Sequence, residues 1–279
     1  MTPFAQHLMR LHGRCTAQGA LLLAMLGLST AMTVHAAPSC PAAPVRVALY
    51  ENGFFYKGGQ GLDKDVVDEL QKRSKCKFEV SVVPRVRIWS ELEAGSLDMT
   101  TSVVETPERK QQFWLLHYIQ QKRYAVMSKE MPSNIKSMQD FLDAPNTLRM
   151  AMIRGFKTGP FYDVAFDKLQ EKGRVEVAPD SDKAYQMLQA KRVSGLVGSP
   201  MVFQARLKEL GLEQLVQVHD WAPDDLPTSA GMALSRKNFS EEQVREWGVL
   251  IDAMRRDGTM LRLIGKYLPK DLTQQALIK

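Results

Sequence analysis

The sequence predicts an α/β protein built on open, mostly parallel sheets. Two observations predict it. Short apolar runs alternate with amphipathic helical patterns from about residue 45 to the end, and that alternation at this spacing means βαβ units. The loops after the strand-like runs gather aromatics, cations and hydroxyls, and open α/β sheets place their ligands beyond the carboxyl ends of the strands.

The elements follow in order. Val45–Tyr50 is the first strand, and Asp63 opens a helix to about Ser74 as its N-cap. Phe78–Val83 and Ile88–Ala94 are the next strand and helix. Leu97–Ser102 leads into Thr106-Pro107-Glu108-Arg109. Thr106 is an N-cap there, and Pro107 at the first helical position of Pro107–Phe113 wastes no hydrogen bond. Tyr124–Ser128 precedes a short helix at Ser137–Leu142. Arg149–Ile153 pairs with Gly159–Glu171, Val175–Ala178 with Ser181–Lys191 (Ser181 its cap), and Gly195–Gly198 with Pro200–Leu210. Leu215–His219 and Gly231–Ser235 are the last strands. Helices at Ser240–Asp257, with a Ser240…Gln243 capping box, and Thr259–Tyr267 close the chain.

The beginning of the chain reads as an export signal rather than as fold. Arg10 and Arg14 form a basic segment without acids, Ala20–Leu28 is apolar but short for a bilayer, and Val34-His35-Ala36 fits a cleavage site near Ala36. The competing reading is an uncleaved anchor. Residues 1–36 are therefore assigned to a signal peptide and the remainder to the periplasm. Loss of Arg10 and Arg14 lowers Lys+Arg from 37 to 35 against 31 acids, a mature charge of +4. The basic residues are scattered, so no nucleic-acid partner is expected. Cys15 leaves with the signal, which leaves Cys40 and Cys76. Each precedes a strand; if those strands are parallel neighbours, a Cys40–Cys76 disulfide is sterically reasonable in an oxidising compartment. The alternative makes Cys40 a lipid-modified N-terminus. No Cys/His cluster has metal spacing, so neither a metal nor a cofactor is expected.

Five loops fall at strand carboxyl ends. They carry Phe54, Phe55 and Tyr56; Arg85, Arg87 and Trp89; Ser102 through Arg109; Lys157 and Thr158; and Ser199. Arg109 stands out, because a cation in the first turn opposes the helix dipole and so points to an anionic partner.

At this point the chain resembles the family 3 periplasmic solute-binding proteins, which include the polar amino-acid receptors of ABC importers. The matching segments run in family order: Gly61-Leu62-Asp63-Lys64-Asp65-Val66, Leu92-Glu93-Ala94-Gly95-Ser96-Leu97-Asp98, Thr106-Pro107-Glu108-Arg109, Gly155-x-x-Thr158, Ala230-Gly231-Met232-Ala233-Leu234 and Met254-Arg255-Arg256-Asp257-Gly258-Thr259, ending in Gly265-Lys266-Tyr267. The resemblance implies a two-lobed, class II binding-protein fold, with two sheets joined by two hinge strands and ligand held between the lobes. Lobe 1 would comprise residues 37–121 and 227–279, lobe 2 residues 122–226, with hinges at Tyr118–Lys122 and Asp224–Ser229. It also implies that Arg109 clamps a ligand carboxylate, helped by Ser102 and by Lys157 or Thr158, although Asp98–Arg109 is slightly shorter than the family pattern. Ser199 stands where amino-acid receptors usually carry an Asp for the ligand ammonium. That loss is worth about 1.5–3 kcal/mol, and the extra cations Arg87 and Lys157 suit an anionic ligand without an ammonium.

The expected ligand-binding set is thus Arg109, Ser102, Phe54, Phe55, Arg87, Trp89, Lys157, Thr158 and Ser199, with no catalytic residue. The expected function is a monomeric, non-catalytic receptor that passes a small polar, carboxylate-bearing solute to an inner-membrane ABC permease. Two alternatives remain. One is an enzyme on the same scaffold, similar to cyclohexadienyl dehydratase, for which Glu51, Glu105 and His117 are the acid/base candidates. The other is a sensing module that reports to a separate membrane receptor.

Overall fold

The computed structural model describes residues 38–278. The expected signal peptide and its cleavage point near Ala36 lie outside the described residues. Among those described, no helix is long and apolar enough to cross a membrane.

Ten strands form two five-stranded sheets. The first sheet has the order β2-β1-β3-β10-β4, comprising Phe78–Val82, Val45–Leu49, Met99–Val104, Thr228–Ser235 and Phe113–Gln121. The second has the order β7-β6-β8-β5-β9, comprising Val175–Ala178, Met150–Ile153, Gly195–Gly198, Tyr124–Ser128 and Val216–His219. Both sheets are mixed, which refines the mostly parallel expectation. β1 runs parallel to β2 and β3, and β6 parallel to β7 and β8, while β10 and β5 run antiparallel to their neighbours. The central strands β1 and β3 are buried almost throughout, although β3 carries Thr100, Thr101 and Ser102, whose hydroxyls are hydrogen-bonded.

Helices cover both sheets. Trp247 and Met254 of α8 (Glu241–Arg256) and Val66 and Leu70 of α1 (Leu62–Ser74) belong to one buried cluster with Val45, Val47 and Leu49 of β1. In the second lobe, Phe141 of α4 (Met138–Asp143) and Phe166 and Leu169 of α5 (Pro160–Glu171) pack with Met127 and Met150. The chain passes between the sheets twice, at residues 122–123 after β4 and at 220–227 before β10, and Gln121 faces Thr228 in the ladder.

Cys40 and Cys76 are joined by a disulfide with Cα atoms 5.2 Å apart. The bond ties the segment before β1 to the segment before β2, its parallel neighbour. In a chain-entropy account, closing a loop of this length stabilises the fold by ~4 kcal/mol.

The local reading of the sequence needs four corrections. Asp63 is not the cap of α1; Gly61 is, at φ 135°, where a Cβ would lie 2.3 Å from the Phe55 carbonyl oxygen. Asp63 lies inside the first turn, fully buried. Asp180, not Ser181, caps α6 (Ser181–Gln189), its side chain accepting from the Lys183 N–H. β4 starts at Phe113, expected as the end of a helix, and runs through residues 114–117, for which no element was expected; α10 (Lys270–Ala276) was not expected either.

Candidate binding cleft

A cleft between the two lobes contains about 800 Å³ of space between atoms, its open mouth included. Its first wall grows from the ends of β1 and β3. Tyr50 and Arg85 stand side by side there, because Arg85 opens α2 (Arg85–Ala94) and Trp89 follows one turn later on the same face. The Arg85 guanidinium lies 4.4 Å from the Tyr50 ring centroid and 4.2 Å from that of Trp89. Ser102 ends this wall in a left-handed conformation, φ 52°, which costs a non-glycine residue about 1–2 kcal/mol. Hydrogen bonds hold it there. Its hydroxyl donates to Asp63 Oδ2 at 2.7 Å, and its carbonyl accepts from Tyr50 Oη at 3.2 Å. Asp63 also accepts from Thr101 Oγ1 and Tyr118 Oη, each at 2.8 Å. Burial pushes the Asp63 carboxyl up to about 6, although the three hydroxyls pull the other way.

Arg109 rises from α3 (Pro107–Gln112), whose Thr106 cap accepts from the Arg109 backbone N–H. Its guanidinium lies 4.2 Å from the Trp89 ring centroid. Nη1 donates to the Val104 carbonyl at 2.9 Å, and Nη2 crosses the cleft to the Gly155 carbonyl at 3.1 Å. Burial and the neighbouring Arg85 push the group down to about 9, so it stays charged at neutral pH.

The second wall is built by the loop after β6, by β8 and by α6. Phe156 sets its ring edge-on to Tyr50, centroids 5.6 Å apart. Thr158 lines the cleft, but its backbone N–H and its hydroxyl both donate to Asp163 Oδ1 at 2.8 Å. Ser199 is fully buried, and its Oγ has no hydrogen-bond partner. The same holds for Tyr185 Oη and Arg123 Nε on this side, and for Asn52 Oδ1 opposite.

The lobes also meet outside the cleft. The Phe54 N–H donates to the Met201 carbonyl at 2.9 Å, and Lys57 pairs with Glu209 and, at 3.8 Å, with Asp182.

Of the expected residues, Arg109, Ser102, Phe55, Lys157, Thr158 and Ser199 line the cleft, and Trp89 backs two of its arginines. Two do not. Phe54 turns away and packs against Tyr267, because its backbone is held to α7 (Pro200–Leu210). Arg87 is exposed, two positions after Arg85 and so turned to the far side of α2, and reaches Glu91 at 3.6 Å. Sequence reasoning passed over Arg123, Asp163, Asn52 and Tyr185 and gave Arg85 no role. Only Arg85 carried a signal, its i,i+4 spacing to Trp89. Among the described residues, no cluster of His, Cys, Asp and Glu could hold a metal ion.

Residues 44–270 match the bacterial extracellular solute-binding proteins, family 3. The chain belongs to this family. Several solved structures share the fold of this solute-binding protein. An ancestral arginine-binding protein bound to arginine superposes with a TM-score of 0.66 at 21% identity, covering 81% of this chain and 98% of that one. An ancestral amino acid-binding protein described as a precursor of cyclohexadienyl dehydratase gives 0.65 at 20%, covering 81% and 96%. The arginine-, lysine-, histidine-binding protein ArtJ of Geobacillus stearothermophilus gives 0.68 at 16%, covering 83% and 100%. At these identities the likeness establishes the two-lobed fold alone. No curated protein sequence matches this solute-binding protein significantly. Family membership implies an extracellular setting, the periplasm in bacteria with two membranes.

Proposed function

We propose that this protein is a monomeric periplasmic receptor that captures a small carboxylate-bearing solute between its lobes and delivers it to an inner-membrane ABC importer. Arg109 carries the reading. It is a buried guanidinium on the seam between lobes, and two of its five N–H donors are engaged with neutral protein carbonyls. A carboxylate is the stronger acceptor for such a fork. Solute that binds the closed arrangement better than the open one supplies the free energy of closure. Lobes of residues 37–121 with 227–279 and of 122–226 fit this motion, since β4 ends at Gln121 and β10 starts at Thr228.

Binding rather than catalysis is supported by where the acid/base candidates sit. Glu51, Glu105 and His117 are not among the residues lining the cleft, and Glu105 and His117 face each other at 3.1 Å elsewhere. Mass spectrometry of small molecules released by unfolding the purified protein tests the reading. A carboxylate-bearing compound that rebinds and is recovered unaltered is the expected result. Its conversion into a new compound on incubation with the protein would favour an enzyme.

A further inference from the structure

Three buried polar atoms on the floor of the cleft have no partner: Arg123 Nε, Tyr185 Oη and Ser199 Oγ. Tyr124 faces Gly198 across the antiparallel β5–β8 ladder, so Arg123 and Ser199 are the next facing positions beyond its end. Tyr185 approaches from α6 at the position before Ser199, its hydroxyl 2.8 Å from where a Cβ on Gly198 would stand. Arg123 Nη1 donates to Gln121 Oε1 at 3.2 Å, which fixes the guanidinium but leaves Nε free. Tyr185 and Ser199 are fully inaccessible to solvent, and all three residues line the cleft.

Leaving such groups buried and unpaired is costly, so this part of the cleft is shaped for something that pairs them. One guanidinium N–H and two hydroxyls can all donate. Three unpaired donors in one cleft lining, one of them charged, fit an anionic group and oppose an ammonium. Asp163 is the acid of the cleft lining, and its Oδ1 already accepts twice from Thr158. Arg109 and Arg85 form a separate cationic centre, both guanidiniums lying 4.2 Å from the Trp89 ring. The same lining also carries the apolar side chains of Phe55, Ile153, Phe166, Leu196 and Val202.

We infer that Arg123, Tyr185 and Ser199 form a second anion-binding corner, and that the solute is a dicarboxylate with an apolar middle and no ammonium group. The inference rests on the carboxylate-receptor reading: Arg109 holds one carboxylate and the corner holds the other.

Calorimetry with straight-chain dicarboxylates from malonate to adipate, the monocarboxylates of equal length, and L-arginine tests it. The best dicarboxylate is expected to bind at least about tenfold more tightly than its monocarboxylate, the scale of one charge-assisted hydrogen bond. Arg123→Gln should cut that ratio to about twofold. Ser199→Ala, which removes only an oxygen, should lower it in the same direction and keeps the test open if the arginine variant does not fold. Equal affinity for dicarboxylates and monocarboxylates would overturn the second corner and leave the receptor reading standing. Binding of L-arginine but of no dicarboxylate would likewise overturn the second corner and leave the receptor reading standing, whereas release from the purified protein of a solute without any carboxylate would overturn both.

Discussion

Arg109 and Gly155 join the two lobes through a hydrogen bond of 3.1 Å from Nη2 to the backbone carbonyl. Arg109 belongs to α3 beside the first sheet, and Gly155 to the loop after β6 in the second. The bond spans the cleft, so separating the two sheets would break it, and the residue proposed to hold ligand is also tied to closure. Trp89 fixes the guanidinium from behind, and the Val104 carbonyl fixes it from the side. Little side-chain entropy is then left to lose when a ligand arrives.

Substitution of Arg109 should therefore affect binding far more than folding. Arg109→Lys keeps the charge but loses the planar fork and the stack on Trp89. Arg109→Ala leaves the ligand's carboxylate unpaired in a closed cleft, a loss of about 2–5 kcal/mol in binding. Titration calorimetry should rank wild type, lysine and alanine variants in falling affinity. An alanine variant that folds and binds like wild type would remove Arg109 from the clamp.

The disulfide can be tested separately. Cys40→Ser with Cys76→Ser should lower unfolding stability by up to ~4 kcal/mol. Solute affinity should hold, because neither residue lines the cleft. Urea unfolding of the double variant, with calorimetry in parallel, separates the two effects.

Much of the architecture is legible in the sequence because its strands are short apolar runs between strong turn residues. β4 is not. Phe113-Trp114-Leu115-Leu116-His117-Tyr118-Ile119 lacks the period of two, since the run is apolar at nearly every position and α3, α8 and α10 all pack on β4. The cleft shows the same division. Arg109 is legible because its helix start is local, with a cap, a proline and a charge against the dipole. Arg123 is not, because nothing near it in sequence says that it faces Ser199; that is a fact of strand register. Phe54 and Phe55 differ by one position, and the side that each takes is set by the bond from Phe54 N–H to Met201 on the other lobe.

Asp63 should make stability depend on pH. Its folded value of about 6 lies above the ordinary carboxylate value near 4, so between these limits the folded state holds the proton more tightly than the unfolded chain. The contribution of Asp63 is thus fully present below about pH 4 and is lost as pH rises through 6, a change of at most ~3 kcal/mol. Asp63→Asn should flatten the slope over that window. Urea unfolding of both proteins at pH 4.5 and 7 checks the sign; an Asp63 contribution that grows with pH would contradict the geometry.

Gly53 offers a way to separate closure from the ligand contacts. It sits at φ 60° in the loop after β1, and a Cβ there would lie 2.8 Å from Val202 Cα and 2.9 Å from the Met201 carbonyl oxygen. Both obstacles are backbone of α7 on the opposite lobe, so no side chain can rotate out of the way. Gly53→Val adds a branched side chain at that point and should hold the lobes apart, with added backbone strain from the positive φ. One buried cluster runs through both lobes, from Leu49 and Phe55 to Met201 and Val202, so the variant should also lose some stability. Solute affinity should fall by about tenfold or more, because the two walls of the cleft no longer meet around the ligand. Small-angle scattering should show wild type compacting on addition of solute and the valine variant remaining at the larger radius. A variant that compacts like wild type would mean that α7 yields at Val202, and that closure is not limited by this contact.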